Sequence, residues 1–225
     1  MDSVILLEAI ERSFKIKISD EEAVNIFTVE ELYACVISKL GSNESNDCMT
    51  NRAFYRMRQA LIYLTNLPKS EIAPSTSMES LIELRDRVKV WKYLSRYTGL
   101  RLPNLVRPTW MESAIVLIFL SLMLLGMVLI FFGMWWVLVL SFLFLILAYK
   151  FTENYAVCFP EYCSTFGDTV KVILSMNFGK ILADKGTWNQ RDAWTALQFI
   201  FFVEVGVLPE EVKKEARICA DLGLD

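Results

Sequence analysis

The sequence is dominated by one apolar stretch, which runs from Ser113 to Ala148. Its 36 residues include no charged residue and no proline. As one helix at about 1.5 Å per residue it would measure roughly 54 Å, whereas the apolar core of a bilayer is about 30 Å thick. We therefore expect a transmembrane hairpin of two helices, with the turn near Gly133, where aromatic residues that favour the membrane interface cluster. One long tilted helix with an exposed end is the alternative.

A hairpin returns the chain to the side of the membrane that it left, so both flanks should lie on one side. Arg101 and Arg107 precede the apolar stretch and Lys150 follows it, and such positive flanks are typical of the cytoplasmic side. The stretch starts too far from the N-terminus for a signal peptide. We expect an integral membrane protein with both termini cytoplasmic, in a bacterial inner membrane.

Composition excludes several kinds of catalytic site. The chain has no histidine, which removes Ser-His-Asp and Cys-His nucleophiles and the histidine-based zinc sites. Its five cysteines form an odd set without the spacing of a disulfide framework or a zinc site, and no glycine-rich phosphate loop is present. We expect no enzyme activity, no catalytic residue and no metal.

Charge is unevenly spread along the chain. Residues 1–47 carry a net charge of −6, residues 48–149 a net charge of +6 and residues 150–225 a net charge of −3. The basic part adjoins a membrane, which argues against nucleic acid and favours anionic lipid. A solvated helix face, or contact with the acidic parts of the same chain, is the alternative. The candidate lipid contacts are Arg96, Arg101, Arg107 and Lys150.

Helical periodicity and capping signals predict an all-α chain. The first helix has an apolar face of Val4, Leu7, Ile10 and Phe14. Capping boxes begin at Ser19 and Thr28, and Gly41 ends the second of these helices. Further helices are predicted over Asn51–Leu67, from the cap at Thr76 to Gly99, around Thr169–Met176, and from the cap at Asn189 to Gly206, with Trp194, Leu197, Phe201 and Val205 facing inward.

The two ends of the chain resemble the two halves of an acyl carrier protein, in swapped order. Residues 4–36 carry I-K-I-S-D-E-E-A and the T-V-E-E cap, as in the second half of that family. Residues 194–225 carry V-G-V, P-E-E-V and a final D-L-G-L-D, as in the first half. The resemblance implies a circularly permuted carrier-like helical bundle, because neither half is long enough to bury a core alone. Exchange of halves between two chains would instead make a homodimer.

The organisation that follows has five regions. They are a carrier-like second half (1–41), a basic helical juxtamembrane region (48–109), the transmembrane hairpin (110–150), a connecting region (151–187) and a carrier-like first half (188–225).

In this register the family serine that carries phosphopantetheine is missing. Asp225 matches the aspartate that precedes that serine, and Met1 falls just after it. Asp2-Ser3-Val4 has a similar pattern but lies about three residues too late, so we expect no cofactor. Attachment at Ser3 stays an alternative, and Ser3 as a helix N-cap is the simpler interpretation. The resemblance gives Asp2, Glu8, Glu11, Asp221 and Asp225 as candidate residues for docking a protein partner.

These features give three functional hypotheses. The first is a membrane-anchored, non-catalytic carrier-like module that binds a protein partner at the cytoplasmic face, linked to lipid or fatty-acid metabolism. The second is a membrane-embedded immunity protein that antagonises a toxin, with the hairpin as its working surface. The third is a true carrier modified at Ser3.

Overall fold

The computed structural model describes residues 2–130, 136–152 and 155–223, so the predicted turn at Gly133 and the docking candidate Asp225 lie outside the described residues. Within these ranges the all-α prediction is confirmed, since isolated bridges take the place of strands. Short 3-10 helices cover Lys69–Glu71 and Glu161–Cys163. The α-helices of the described residues are α1 Asp2–Phe14, α2 Asp20–Ala23, α3 Val29–Leu40, α4 Met49–Thr65, α5 Met78–Leu81, α6 Arg87–Thr98, α7 Thr109–Ile130, α8 Trp136–Thr152, α9 Phe166–Lys185 and α10 Gln190–Val205.

The caps predicted at Ser19, Thr28 and Asn189 form as expected, whereas the helix predicted from Thr76 is capped by Ser77. The side chains of Ser19 and Thr28 each accept a hydrogen bond from the amide three residues on, and the glutamate there accepts one from the cap amide in return. Asn189 caps α10 by accepting from the amide of Asp192, and Gly206 ends that helix with a positive φ of 80°. Local chemistry therefore sets these helix ends, as the sequence predicts.

Three predicted helices have different bounds in the structure, and one of them, predicted over Asn51–Leu67, is α4 at Met49–Thr65. The segment from Thr76 to Gly99 is two helices, because Ile82 adopts an extended conformation at the end of α5 (φ −136°, ψ 114°) and buries its side chain. Tertiary burial outweighs helix propensity here. The helix predicted around Thr169–Met176 extends over the whole of α9, with a break at Asn177.

The chain divides into two compact units. Unit 1 consists of Met1–Glu83, Lys89–Pro103 and Glu161–Asp225, and unit 2 of Leu84–Val88 and Asn104–Pro160. At the centre of unit 1 lies α9, which packs against α1, α4 and α10. Unit 1 therefore takes its core from both ends of the chain.

The crossing of α1 and α9 is especially close. The ring of Phe14 lies 4.6 Å from that of Phe178, and the hydroxyl of Ser13 donates to the carbonyl of Ser175. A Cβ atom added at Gly179 would lie 2.7 Å from the carbonyl carbon of Phe14, so only glycine allows this approach of the two backbones.

Unit 2 contains the apolar helices α7 and α8, which lie side by side. The ring of Phe119 packs on that of Phe142 at 5.5 Å, and Gly126, further along α7, faces Leu138, which is earlier in α8. These contacts place α7 and α8 antiparallel to each other. Within the described ranges one helix segment, Thr109–Val128, is long and apolar enough to cross a membrane, while α8 is apolar but shorter.

The segments that lead into α7 and out of α8 also pair with each other. Val106 and Cys158 exchange two backbone hydrogen bonds, of 2.8 and 2.9 Å, as in an antiparallel bridge. The segment before α7 and the segment after α8 therefore lie next to each other within unit 2.

Candidate functional site

The site that the structure builds from distant parts of the chain is a joint between the cap of α3 and the C-terminal tail (residues 207–223). The amide of Val29 donates to the carbonyl of Ala216 at 3.0 Å, and the amide of Ile218 donates to the carbonyl of Phe27 at 2.9 Å. Between these bonds Thr28 and Arg217 form an antiparallel bridge. We call residues 27–30 and 214–218 together the head–tail joint.

A lysine that lies near two aromatic rings reinforces the head–tail joint. The ammonium group of Lys214 lies 5.4 Å from the ring of Tyr33 on α3 and 5.7 Å from the ring of Trp194 on α10. The two rings meet edge to face at 5.2 Å, and the hydroxyl of Tyr33 donates to the carbonyl of Gln190. Burial, with a smaller effect of the Glu44 charge, raises the pKa of Tyr33, so the phenol stays a neutral donor.

Further contacts bind the tail and α1 to α10. The side chain of Gln198 donates to the carbonyls of Pro209 and Val212 at 2.7 and 3.3 Å. Arg12 on α1 lies 3.5 Å from Glu204 on α10. The first helix, the last helix and the tail therefore form one continuous structure.

An open acidic groove of about 600 Å³ lies on the tail side of the head–tail joint. Its lining includes four carboxylates and one lysine, beside which Leu208 is about half exposed and Phe27 is 64% exposed. Such a surface fits a basic segment of a protein with one or two apolar side chains. The lining residues are Val207, Glu210, Glu211, Lys213, Glu215, Ala216, Asp221 and Leu222.

Since the chain has no histidine, its cysteine and carboxylate side chains are the usual candidates for metal ligands. Across the described residues there is no group of three or more Cys, Asp or Glu side chains placed to hold a metal ion. All five cysteines have free thiols, and burial raises the pKa of Cys163 to about 12, so this thiol stays protonated at neutral pH.

The predicted docking residues fall into different surroundings. Glu8 is exposed on α1, whereas Glu11 has only 18% of its side chain exposed. The carboxylate of Glu11 accepts from the amide of Ile18 at 2.7 Å and, at 3.3 Å, from Lys17, and these contacts lower its pKa. Glu11 thus stabilises the loop after α1, and little of its carboxylate is accessible to a partner.

The remaining docking candidates lie near the two chain ends. Asp221 lies in the acidic groove, where it accepts from the amide of Arg217 at 2.8 Å, a bond that lowers its pKa. Asp2 is the first residue of α1, and its side chain is outside the described atoms. Ser3 is partly buried in the first turn of α1, one residue inside the helix and so past the N-cap position.

The four predicted lipid contacts divide between the two units. In unit 2, the guanidinium carbon of Arg107 lies 3.9 Å from the ring centre of Tyr149, and Arg107 also donates to the carbonyl of Tyr149. Lys150 follows in the last turn of α8. In unit 1, Arg96 is exposed on α6, and the backbone of Arg101 bonds to the side chain of Asn177 in both directions.

Sequence reasoning misses two features of this region. The pair of rings around Lys214 is one, because Tyr33 and Trp194 are far apart in sequence and each has the pattern of an ordinary core residue. The other is Asp192, which is 4% exposed and accepts from the amide of Met49 and, at 2.7 Å, the hydroxyl of Thr50 at the start of α4. The sequence does place an aspartate three residues after the Asn189 cap, but this spacing does not predict that Asp192 also caps α4.

Comparisons with known proteins add no assignment to this geometry. No family model matches the chain, and no curated protein and no solved structure matches it. The sequence and the contacts above are therefore the grounds for a functional proposal.

Proposed function

We propose that the protein is a membrane-anchored, non-catalytic module that binds a protein partner at the cytoplasmic face of a bacterial inner membrane. The observation that carries the proposal is the head–tail joint, in which the backbone of Val29 bonds to that of Ala216. The joint brings the two carrier-like regions into one unit and forms the acidic groove beside it. Fold likeness alone does not fix a function, so the proposal rests on this surface and on the membrane anchor.

The acyl-carrier-like arrangement is supported by the order in which the helices meet. In the resemblance, α1, α2 and α3 stand for the second half of a carrier, and α10 with the tail stands for the first half. The helices α1 and α10 pack together, and α10 contacts α3. In addition, α9 packs on both α1 and α10, which the resemblance does not account for. We therefore propose that the bundle is an elaborated version of the carrier architecture.

The membrane anchor is a hairpin of α7 and α8. Their antiparallel contacts and the pairing of Val106 with Cys158 at its base favour two passes. Both flanks of unit 2 belong to unit 1, and a chain can return to one compact unit only after an even number of crossings. Since α8 has 17 residues, about 26 Å at 1.5 Å per residue, it fits the bilayer core closely.

The partner is a protein that handles acyl chains, as the resemblance implies. The test is affinity capture of the full chain from detergent extracts, with wild type compared to the triple variant Glu210→Gln/Glu211→Gln/Glu215→Gln. The matched control is Asp20→Asn/Glu21→Gln, which removes charge from exposed residues of α2 outside the groove. We expect wild type and control to retain an acyl-chain enzyme or acylated carrier that the groove variant loses. Recovery of no such protein contradicts the proposal.

The third hypothesis, a true carrier, is tested separately. Intact-mass measurement before and after incubation with a phosphopantetheinyl transferase and coenzyme A reports modification of Ser3. We expect an unchanged mass, since Ser3 is partly buried within the first turn of α1. A mass increase that Ser3→Ala abolishes would establish a carrier instead.

A membrane-embedded antagonist of a toxin would use the exposed apolar surface of α7 and α8 directly. Replacing both helices with an unrelated hairpin of equal length separates this function from the proposed one. We expect partner capture to survive the replacement. Its loss, in a variant that still reaches the membrane and folds, favours the antagonist.

A further inference from the structure

The antiparallel pair α7 and α8 encloses an apolar groove of about 630 Å³ with charged groups at one end. Its apolar wall includes Ile115 and Val116 from α7 and Ile146 from α8. Its volume falls within the range of about 300–1,000 Å³ that is typical of small-molecule sites. The groove therefore has room for part of a lipid acyl chain.

The charged end of the groove carries both signs. Glu112 lies in the first turn of α7 and Lys150 in the last turn of α8, and both line the groove. Within the described residues, neither forms an ion pair with the other or with a third side chain. A ligand that carries both an ammonium and an anionic group can pair with this carboxylate and this ammonium at the same time.

A third cationic group stands next to this end. Arg107 lies on the ring of Tyr149, which also lines the groove, and it donates to the carbonyl of Tyr149 at 2.9 Å. Its Nε atom is buried and has no hydrogen-bond partner among the described residues. The ring contact places the guanidinium against Tyr149, the residue before Lys150, so a second basic side chain lies next to a lining that includes one lysine and one glutamate.

We propose that this groove binds one phospholipid with an ethanolamine head group. The lipid phosphate lies against Lys150 and Arg107, its primary ammonium donates to the carboxylate of Glu112, and one acyl chain lies along Ile115 and Ile146. A glycerol head group has no ammonium for Glu112, and the quaternary ammonium of choline has no hydrogen to donate. The charges at the groove end therefore favour ethanolamine over glycerol and choline head groups. The inference rests on the proposed membrane anchor.

The test uses the full chain in nanodiscs that contain equal amounts of phosphatidylethanolamine, phosphatidylglycerol and phosphatidylcholine. Native mass spectrometry then counts the lipids that stay bound to the released protein. We expect one retained phosphatidylethanolamine, preferred about fivefold over each of the other lipids, as follows from about 1 kcal/mol per matched charge at the surface. Glu112→Gln should remove the preference, whereas Lys150→Gln should lower retention of all three lipids about fivefold.

The controls are Glu8→Gln and Lys89→Gln, which neutralise exposed charges of unit 1 and should leave the preference unchanged. Equal retention of the three lipids by wild type, or a preference that Glu112→Gln does not alter, overturns the lipid site while leaving the membrane anchor intact. Failure of the chain to enter nanodiscs at all contradicts the anchor itself, and with it the lipid site.

Discussion

The amide of Val29 donates to the carbonyl oxygen of Ala216 at 3.0 Å, so the third helix from the N-terminus is bonded to the C-terminal tail. Both segments would be incomplete alone, because the cap of α3 and the tail satisfy each other's backbone groups. The chain between them includes the rest of unit 1, with α4, α9 and α10, and also unit 2 with the apolar pair α7 and α8.

Lys214 should hold the tail against α3 and α10 through its contacts with the rings of Tyr33 and Trp194. Lys214→Ala removes cation–π contacts with Tyr33 and Trp194, worth about 0.5–1 kcal/mol at an exposed site. We expect amide hydrogen exchange in residues 207–223 to speed up about twofold to fivefold. Lys213→Ala is the control, since it removes a neighbouring charge that has no ring contact among the residues described. Equal effects of the two variants would show that Lys214 acts only through its charge.

Gly179 should be required for the crossing of α1 and α9. Gly179→Ala places a methyl group against the carbonyl of Phe14, and backbone atoms cannot rotate away, so we expect a loss of about 1–3 kcal/mol in the free energy of unfolding. The comparison is Gly126→Ala, where the nearest atom is the side-chain tip of Leu138 at 2.6 Å, which can move. Both glycines are helical, so the gain in helix propensity is shared. A neutral or stabilising effect at Gly179 would mean that the helices lie further apart.

Asp192 should stabilise the start of α4 as well as α10. Asp192→Ala leaves the buried amide of Met49 and the hydroxyl of Thr50 without an acceptor, at a cost of about 2 kcal/mol or more measured by chemical denaturation. Asp192→Asn keeps one oxygen acceptor and should cost less. If the two substitutions cost the same, the negative charge of Asp192 matters more than its hydrogen bonds.

The local signals of the sequence predict the helix ends well, because capping depends on residues three or four apart. The boxes at Ser19 and Thr28 are examples. The buried faces of the helices are less predictable. Val4, placed in the predicted apolar face of α1, is 59% exposed, while Ser13 is buried. Ser13 faces inward because α9 approaches there, a contact between residues more than 160 positions apart.

The candidate site could be predicted only in part. The carrier-like motifs pointed to both chain ends, and the structure brings those segments into contact at the head–tail joint. The acidic groove depends on how the tail folds back against α3, which no local pattern specifies. Glu11 shows the same limit, since its bond to the amide of Ile18 becomes visible only once the loop after α1 has its conformation.

Glu22 should make stability depend on pH. Its hydrogen bonds from Lys39, at 2.7 and 2.9 Å, and then from the amide of Ser19 lower the pKa of Glu22 from 4.5 to about 2. A carboxyl whose pKa is lower in the folded state contributes stability above pH 4.5 and loses that contribution as the pH falls toward 2. We expect Glu22→Gln to lower the unfolding midpoint at pH 7 and to flatten its decline between pH 4.5 and 2. The control is Glu21→Gln, on the same short helix, and a wild-type slope in Glu22→Gln would contradict the assignment.

The most direct test of the account is a crosslink across the head–tail joint. Thr28 and Arg217 form a non-hydrogen-bonded antiparallel pair, since the backbone hydrogen bonds are made by the residues on either side of them. The Cα atoms of such a pair are about 4.5 Å apart, a distance that a disulfide can span. The variant Thr28→Cys/Arg217→Cys, in membranes and in a background without the five native cysteines, should on mild oxidation give an intramolecular disulfide. The product is a monomer with altered electrophoretic mobility that neither single variant shows. Absence of a crosslink, or crosslinked dimers alone, would contradict the claim that both ends of one chain complete the same unit.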